Sequence, residues 1–525
     1  MSRHLVWALL AATLALVLPA SAGAETLELR LRSRVPIAEG AAQFHLVHRD
    51  ESWESEQTAF IVCDMWDAHH CLNAVRRVGE MAPRMNRVLQ AARERGALIV
   101  HAPSSCMEFY RETPARLRAM QVPAAKNVPE DIGQWCRLIP SEEQGAYPID
   151  QSDGGEDDDP AEHDLWASKL QAQGRNPRSP WIRQVATIEI DQQRDAISDN
   201  GVEIWNLLEH RGIRNVVLLG VHTNMCVLGR PFGLRQMAKN GKHVVLMRDM
   251  TDTMYNPARE PHVSHFTGTD LIVEHIEKWV CPTVTSDQLI GGAEFRFSHD
   301  RRPHVVMLIG EREYRTNESL PKFAVSTLGK DFRVTILHAE AENKNSVPGI
   351  ETIADADVLL VSMRRRLLPI AQLKYVRDHV AAGKPVVGIR TANHAFTVRG
   401  DVEPGADNWP EWDEQVIGGS YTGHYKDGPV TALQAAVDEH PILKDVDLSK
   451  LKGHGSLYKV SPLRSHTQAV LVGSTEEDPE EPVAWTHLTA TGGRVFYTSL
   501  GHIEDFEQPA FHQLLLNAVR WSCAP

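Results

Sequence analysis

No long basic run occurs in this chain, and its 55 lysines and arginines are outnumbered by 69 acidic residues, for a formal charge of −14. Phosphate backbones are held by grouped cations, so nucleic acid is excluded as the expected partner. Cysteine is scarce: Cys63, Cys71, Cys106, Cys136, Cys226, Cys281 and Cys523 are 7 in 525 residues. That is too sparse for a disulfide-held scaffold, and in an exported protein an odd number leaves at least one thiol free. No segment approaches the ~20 apolar residues of a membrane span. No short-period repeat is present, which excludes a solenoid or propeller.

The strongest apolar run is at the start. Leu5 to Leu18 is of signal-peptide length, preceded by Arg3 and followed by Pro19 and the small residues Ala22-Gly23-Ala24. Residues 1–24 therefore read as a cleaved signal peptide, and the mature protein is expected to be secreted or periplasmic.

The remaining length and 42% apolar content suffice for two domains. Compact apolar strands alternate with helical patterns. Residues 26–32 read as an edge strand, 58–63 as a buried strand, and Val75, Val78, Ala82, Met85 and Leu89 as one helix face. Further strands are expected at 97–101, 186–190, 215–221 and 243–247, and helices at 201–211, 225–239 and 270–279. Residues 121–185, rich in Pro, Gly, Asp and Gln, read as an insertion, either a lid or a solvated excursion. Their acidic run 156–159 reads as a solvated turn. Residues 281–303 read as a linker. A second series follows, with strands at 304–309, 332–337, 357–361, 385–389 and 494–498 and helices at 369–382 and 508–521. The expected architecture is α/β: two doubly wound, parallel-sheet domains over 25–280 and 304–525.

Parallel sheets gather reactive groups at the carboxyl ends of their strands. Three strands end in chemistry: at Cys63-Asp64, at His101, and in the turn leading to Cys226. A thiol at a strand-to-helix turn is placed for nucleophilic attack, and a carboxylate beside it can take its proton and return it to a leaving amine. Asp67-Ala68-His69, with His101 nearby, admits a divalent metal; the alternative is a polar loop at the site mouth. Trp66 reads as a pocket wall.

The segments IVCDMWD and GVHTNMCVLGRPFGLRQM resemble those of the isochorismatase-like cysteine hydrolases, over roughly residues 58–280. The resemblance implies a Rossmann-type three-layer fold, Cys226 as nucleophile, Asp64 as general base, and an oxyanion hole from backbone N–H groups around Thr223, Asn224 and Cys226, in a turn that commonly holds a cis peptide. It also implies a lysine between the two motifs. Here Asp191 stands at that spacing; Lys126 and Lys169, upstream in the insertion, are the lysines able to swing in, and Arg183 or Arg194 the cations able to compensate.

In the second half, HVVMLIGEREY, ADVLLVSMRRR, KPVVGIRTANHAF, GGSYTGHY and RVFYTSLGHIEDF resemble the ThuA-like (trehalose utilisation) domain, related to the class I glutamine amidotransferase and flavodoxin-like folds. At the amidotransferase nucleophile turn the residue is Arg390, which removes glutaminase chemistry by that route. Glu311, Arg390, His394, His424, His454 and His502 are the polar candidates for a carbohydrate-type ligand, with Tyr425 and Trp485 as stacking or core residues. The sequence thus points to an exported cysteine hydrolase of a small amide or related C–N bond. Two alternatives are a non-catalytic small-molecule or sugar-binding protein and a sugar-active enzyme using the second domain. A small molecule is the expected partner, and a homo-oligomer is compatible with these features.

Overall fold

A computed structural model describes residues 25–524, so the expected signal peptide over 1–24 lies outside the described residues. Two large sheets organise the chain, one of 8 strands and one of 9.

The first sheet contains β1 (Thr26–Pro36), β2 (Phe44–Glu54), β3 (Thr58–Cys63), β4 (Leu98–Ala102), β5 (Ala196–Ile197), β6 (Asn215–Val221), β7 (His243–Asp252) and β8 (Thr283–Val284). Their order is β2-β1-β8-β7-β6-β3-β4-β5. β3 to β8 are parallel, and every residue of β3 and β6 is buried, as strands covered on both faces require. The helices are α1 (Leu72–Glu94), α2 (Met107–Tyr110), α3 (Pro114–Met120), α4 (Pro160–Ala172), α5 (Gly201–His210), α6 (Leu234–Lys239), α7 (His265–Trp279) and α8 (Asp287–Ile290). α1 buries Val78, Met81, Met85 and Leu89 on one face. Each such side chain contributes about 1.5–3 kcal/mol of burial.

β1 alternates as expected, with Leu27, Leu29 and Leu31 inward, but β2 covers it and takes the edge. The β1–β2 hairpin reaches the second half of the chain. Leu46 on β2 is buried among Val306, Leu308 and Val347, and Glu351 pairs with Arg30 and His48.

The second sheet contains β9 (His304–Gly310), β10 (Arg333–His338), β11 (Val358–Met363), β12 (Val386–Ile389), β14 (Thr431–Ala435), β15 (Lys452–Gly453), β17 (Thr467–Ser474), β18 (Glu481–Leu488) and β19 (Arg494–Thr498). β13 (Gly423–His424) and β16 (Tyr458–Lys459) form a small separate pair. The order is β10-β9-β11-β12-β19-β18-β17-β14-β15; the first five strands are parallel and the rest antiparallel. Helices α9 (Thr316–Ser326), α10 (Ile370–Ala381) and α11 (Pro509–Cys523) pack on it.

Several expectations are corrected. Residues 186–190 are not a strand; β5 takes the place beside β4. The helix expected over 225–239 breaks after the turn Thr223–Val227, because Pro231 cannot donate an amide and the chain restarts at α6. The insertion 121–185 contains α4, and the segment 281–303 supplies β8 and α8 to the first sheet and its core.

Candidate active site

β3 and β6 are neighbours, and Gly220 is what lets their ends converge. Its φ is +112°, and a Cβ there would stand 2.0 Å from the Cys63 carbonyl oxygen, so only glycine allows this approach. The Val221–His222 peptide is cis, and the chain turns through Thr223–Val227 to present Cys226. Beyond β3, Asp64 takes a left-handed φ of 47° while its amide bonds the Ala102 carbonyl. Sequence-distant Asp64 and Cys226 thus meet, close enough for each to shift the titration of the other.

A third group completes the cluster, and sequence reasoning missed it. Arg230 Nε lies 3.3 Å from Asp64 Oδ2, and the guanidinium charge also acts on the Cys226 thiol, lowering it. The available signal was spacing: Arg230 lies four residues after Cys226, and its amide bonds the Cys226 carbonyl at 3.0 Å, so one turn carries both side chains. The other Asp64 oxygen accepts the Ser104 amide at 2.7 Å. Burial pushes the Asp64 carboxyl up, while Arg230, Cys226 and Ser104 pull it down; the net direction is upward. Burial and the Asp64 charge push the Cys226 thiol far up, against Arg230. The resting cluster is a neutral thiol beside an Asp64–Arg230 ion pair. It offers a stored proton acceptor of raised basicity and a fixed cation where negative charge would develop on sulfur.

The insertion forms one wall. Trp135 lies 4.9 Å from the Arg230 guanidinium, and the Cys136 amide bonds the Gly229 carbonyl. Glu142 anchors it to Arg235 at 2.7 Å and His275 at 2.9 Å, and these partners hold its carboxyl down at about 2. Gln151 bonds the Asn224 side chain, and Trp181 stacks on Trp66 at 4.5 Å. Trp66 in turn donates to the Ser104 carbonyl, bracing the loop whose amide holds Asp64. His69 packs edge-on to His222. Burial keeps both rings neutral.

Other candidates fall elsewhere. His101 is fully buried, with its ring nitrogens on Gln184 and Asp195, and cannot line a pocket. The Thr223 hydroxyl bonds Thr251, and the Asn224 side chain bonds Gln151 and the Met254 backbone, so both side chains hold the turn. Asp191 pairs with Arg194 and receives the amides of its own turn. Lys169 and Arg183 lie against the rings of Trp166 and Phe109.

The metal reading changes as well. Asp67 is taken by Arg175 and by the Ile182 amide, and His101 by Asp195, so these do not form a ligand set with His69. Among the described residues, two other groups have ligand atoms close enough to hold a cation: Cys71, Asp157 and Asp158, and Glu156, Asp158 and His163. Neither suits one well. Asp158 accepts the Leu72 and Asn73 amides at the start of α1, and Asp157 pairs with Arg77 at 2.8 Å. The acidic run is therefore no solvated turn; it docks the insertion onto a helix N-terminus and a buried arginine.

In the second domain, β12 ends in Arg390, at a left-handed φ of 48° and 2% exposed. Its guanidinium donates to the Ser499 and Ser456 carbonyls and covers Tyr314 at 4.0 Å. His394 packs on Tyr421, and burial lowers it to about 3. His502 lies edge-on to Tyr314, and His454 is held by Asp505. Glu311 is spent on Thr316 and the Tyr314 amide. His424 is exposed on β13, with Nδ1 against the Tyr425 carbonyl. Tyr425 faces Glu481, and Trp485 is core.

The front half is thus an α/β domain with a Cys–Asp–Arg cluster at the carboxyl edge of its sheet, and the rear half one with an arginine at the corresponding turn. Residues 304–522 match the family ThuA, described as trehalose utilisation. No curated protein matches the chain. Among solved structures, a ThuA-like protein from Bacteroides uniformis ATCC 8492 is similar at 16% identity and a TM-score of 0.32, over 43% of this chain and 95% of that one. A cysteine hydrolase from Pseudomonas syringae pv. phaseolicola 1448A is similar at 16% identity and a TM-score of 0.28, over 45% of this chain and 92% of that one. An isochorismatase family protein from Burkholderia thailandensis is similar at 12% identity and a TM-score of 0.25, over 45% of this chain and 94% of that one. Among the described residues, no helix is long and apolar enough to cross a membrane.

Proposed function

We propose that the front domain is a cysteine hydrolase of a small amide or related C–N bond. The observation that carries this reading is the buried Asp64–Cys226–Arg230 cluster. Asp64 takes the Cys226 proton as Sγ attacks the carbonyl carbon, and returns it to the departing nitrogen as the C–N bond breaks. The resulting thioester is cleaved by water, whose proton Asp64 accepts, releasing the acid and regenerating the thiol. Arg230 supplies the positive charge that the family resemblance assigns to a lysine. Incubation with a panel of primary amides, followed by mass spectrometry, tests the mechanism. An acyl adduct on Cys226 is expected, and turnover by Cys226→Ala would refute it.

The burial that raises Cys226 also favours a second reading, a non-catalytic binding protein. A pH profile of alkylation separates the two: loss of the Cys226→Ala difference in reactivity would favour the binder. We further propose that the rear domain takes a carbohydrate-type ligand and that the chain is exported by its N-terminal apolar run. N-terminal sequencing of the exported protein should begin near residue 25, and retention of Met1 in a cytoplasmic fraction would refute export.

A further inference from the structure

The second domain carries two buried arginines and a half-buried one, Arg366, Arg390 and Arg365, at the strand ends where its topology places ligands. β10 and β11 flank β9 on opposite sides, so the sheet order switches there. In open α/β sheets ligands settle outside the carboxyl ends of the strands at such a switch. Tyr314 follows β9, Arg365 and Arg366 follow β11, and Arg390 follows β12. The pieces are joined: the Arg365 amide bonds the His394 carbonyl, the Arg366 amide bonds the Ala395 carbonyl, and Arg390 covers Tyr314.

Arg365, Arg366 and Arg390 form no ion pair among the described residues, although Arg366 and Arg390 are 8% and 2% exposed. Buried charges are normally paired. The nearby acids are already engaged: Glu311 by Thr316, Glu313 by Arg364, and Asp505 by His454 and the Gly501 and His502 amides. Burial and the neighbouring Arg312 and Arg364 lower Arg366 to about 10, against Glu311; for Arg390, burial is outweighed by Tyr458, Tyr314 and Asp505, and the net direction is upward. A second feature is independent of charge. Four buried side-chain atoms here have no hydrogen-bond partner among the described residues: Arg366 Nε, Arg390 Nε, Thr391 Oγ1 and Asn393 Nδ2. Such atoms are rare in folded proteins and call for a partner. Tyr421 and Tyr458, whose rings meet at 4.7 Å, add aromatic faces beside Arg390 and His394.

We propose that this crevice binds a saccharide bearing a carboxylate, with the carboxylate drawn to Arg365 and Arg366 and the hydroxylated ring to the tyrosines and the Thr391–Asn393 turn. This rests on the reading of the rear domain as a carbohydrate binder and narrows it to acidic sugars. A guanidinium paired with carboxylate gives the charge-assisted, planar recognition that neutral hydroxyls cannot.

Calorimetric titration of the full chain with D-glucuronate and D-galacturonate, against D-glucose, D-galactose and acetate, tests it. Each uronate should bind at least about tenfold more tightly than its neutral counterpart and than acetate, and the margin should shrink with salt. Arg365→Gln should remove the margin of uronate over neutral sugar; Arg365→Lys, which keeps the charge, should retain part of it. Equal binding of uronate and neutral sugar would overturn the acidic ligand and leave the carbohydrate reading standing. Equal binding of acetate and uronate would overturn the saccharide. Binding of none would overturn both the inference and the reading beneath it. A full margin in folded Arg365→Gln would overturn the assignment to that residue.

Discussion

Two turns of this chain occupy comparable places and hold opposite chemistry. Each follows the carboxyl end of a central parallel strand, β6 in one sheet and β12 in the other. At the first, a thiol is surrounded by one acid and one cation that neutralise each other. At the second, a guanidinium sits in the turn itself, held by carbonyls and tyrosine rings and in no ion pair among the described residues. Similar backbone positions therefore do not imply similar function. The first turn is balanced and able to move a proton. The second holds a guanidinium with no ion-pair partner among the described residues.

The sharpest way to break this comparison is to remove the thiol. Cys226→Ala should lower amide turnover by at least about 10⁴-fold, as nucleophile removal does elsewhere, with an unchanged melting temperature. Steady-state kinetics and calorimetry check this together, and residual turnover at the wild-type rate would place catalysis elsewhere.

The balance of the first turn comes next. Arg230→Met should cost about 10²–10³-fold in kcat/KM, the scale of losing one fixed charge at a reacting centre, with partial recovery in Arg230→Lys. The pH profile gives the sign. Arg230 lowers the Asp64 carboxyl, and the base works only when ionised. Activity should therefore fall as pH drops through a carboxyl value above the ordinary one, and this acid limb should move to higher pH in Arg230→Met. A purely structural arginine would leave the limb in place.

The walls of the first turn can be tested through stability. Glu142 is held at about 2 against an ordinary 4.5. A depressed carboxyl contributes stability that is present above the unfolded value and lost as pH falls from 4.5 toward about 2. Glu142→Ala, which leaves Arg235 and His275 unpaired, should cost about 3 kcal/mol in denaturant unfolding, most of it already lost at the acid end. Arg390→Met, by contrast, should cost only about 1–2 kcal/mol, because it removes hydrogen bonds and an unpaired charge together. It should leave front-domain turnover unchanged. At the small end, Asp191→Ala should change turnover less than twofold and stability by about 0.5 kcal/mol, because its partners are its own turn and one exposed arginine. A large loss there would restore Asp191 to the site.

Much of this was legible beforehand for a physical reason. Strands such as residues 58–63, 304–309 and 494–498 are buried on both faces and read as unbroken apolar runs, so parallel sheets announce themselves. Cys226 and Asp64 were findable because strand ends collect chemistry. The antiparallel strands β14 and β17 are half-exposed and interleave polar residues, and in the mostly buried β18 the polar Thr486 and His487 interrupt the apolar run, so all three carry a weaker pattern. The role of the insertion was equally hidden, because its residues act by contacts across long sequence separations: Trp181 on Trp66, Asp157 on Arg77, Glu142 on Arg235.

The sequence by itself determined the alternation of strand and helix, the two turns, and the residues Cys226 and Arg390 that stand at them, because each is a local pattern. Only the tertiary structure decided which charges meet. It took Asp191, Asp67 and His101 out of the first site by giving them other partners, and brought Arg230 into it. It also left Arg365, Arg366 and Arg390 outside any ion pair among the described residues. Burial and pairing depend on what folds against a side chain, and no local window of sequence contains that information.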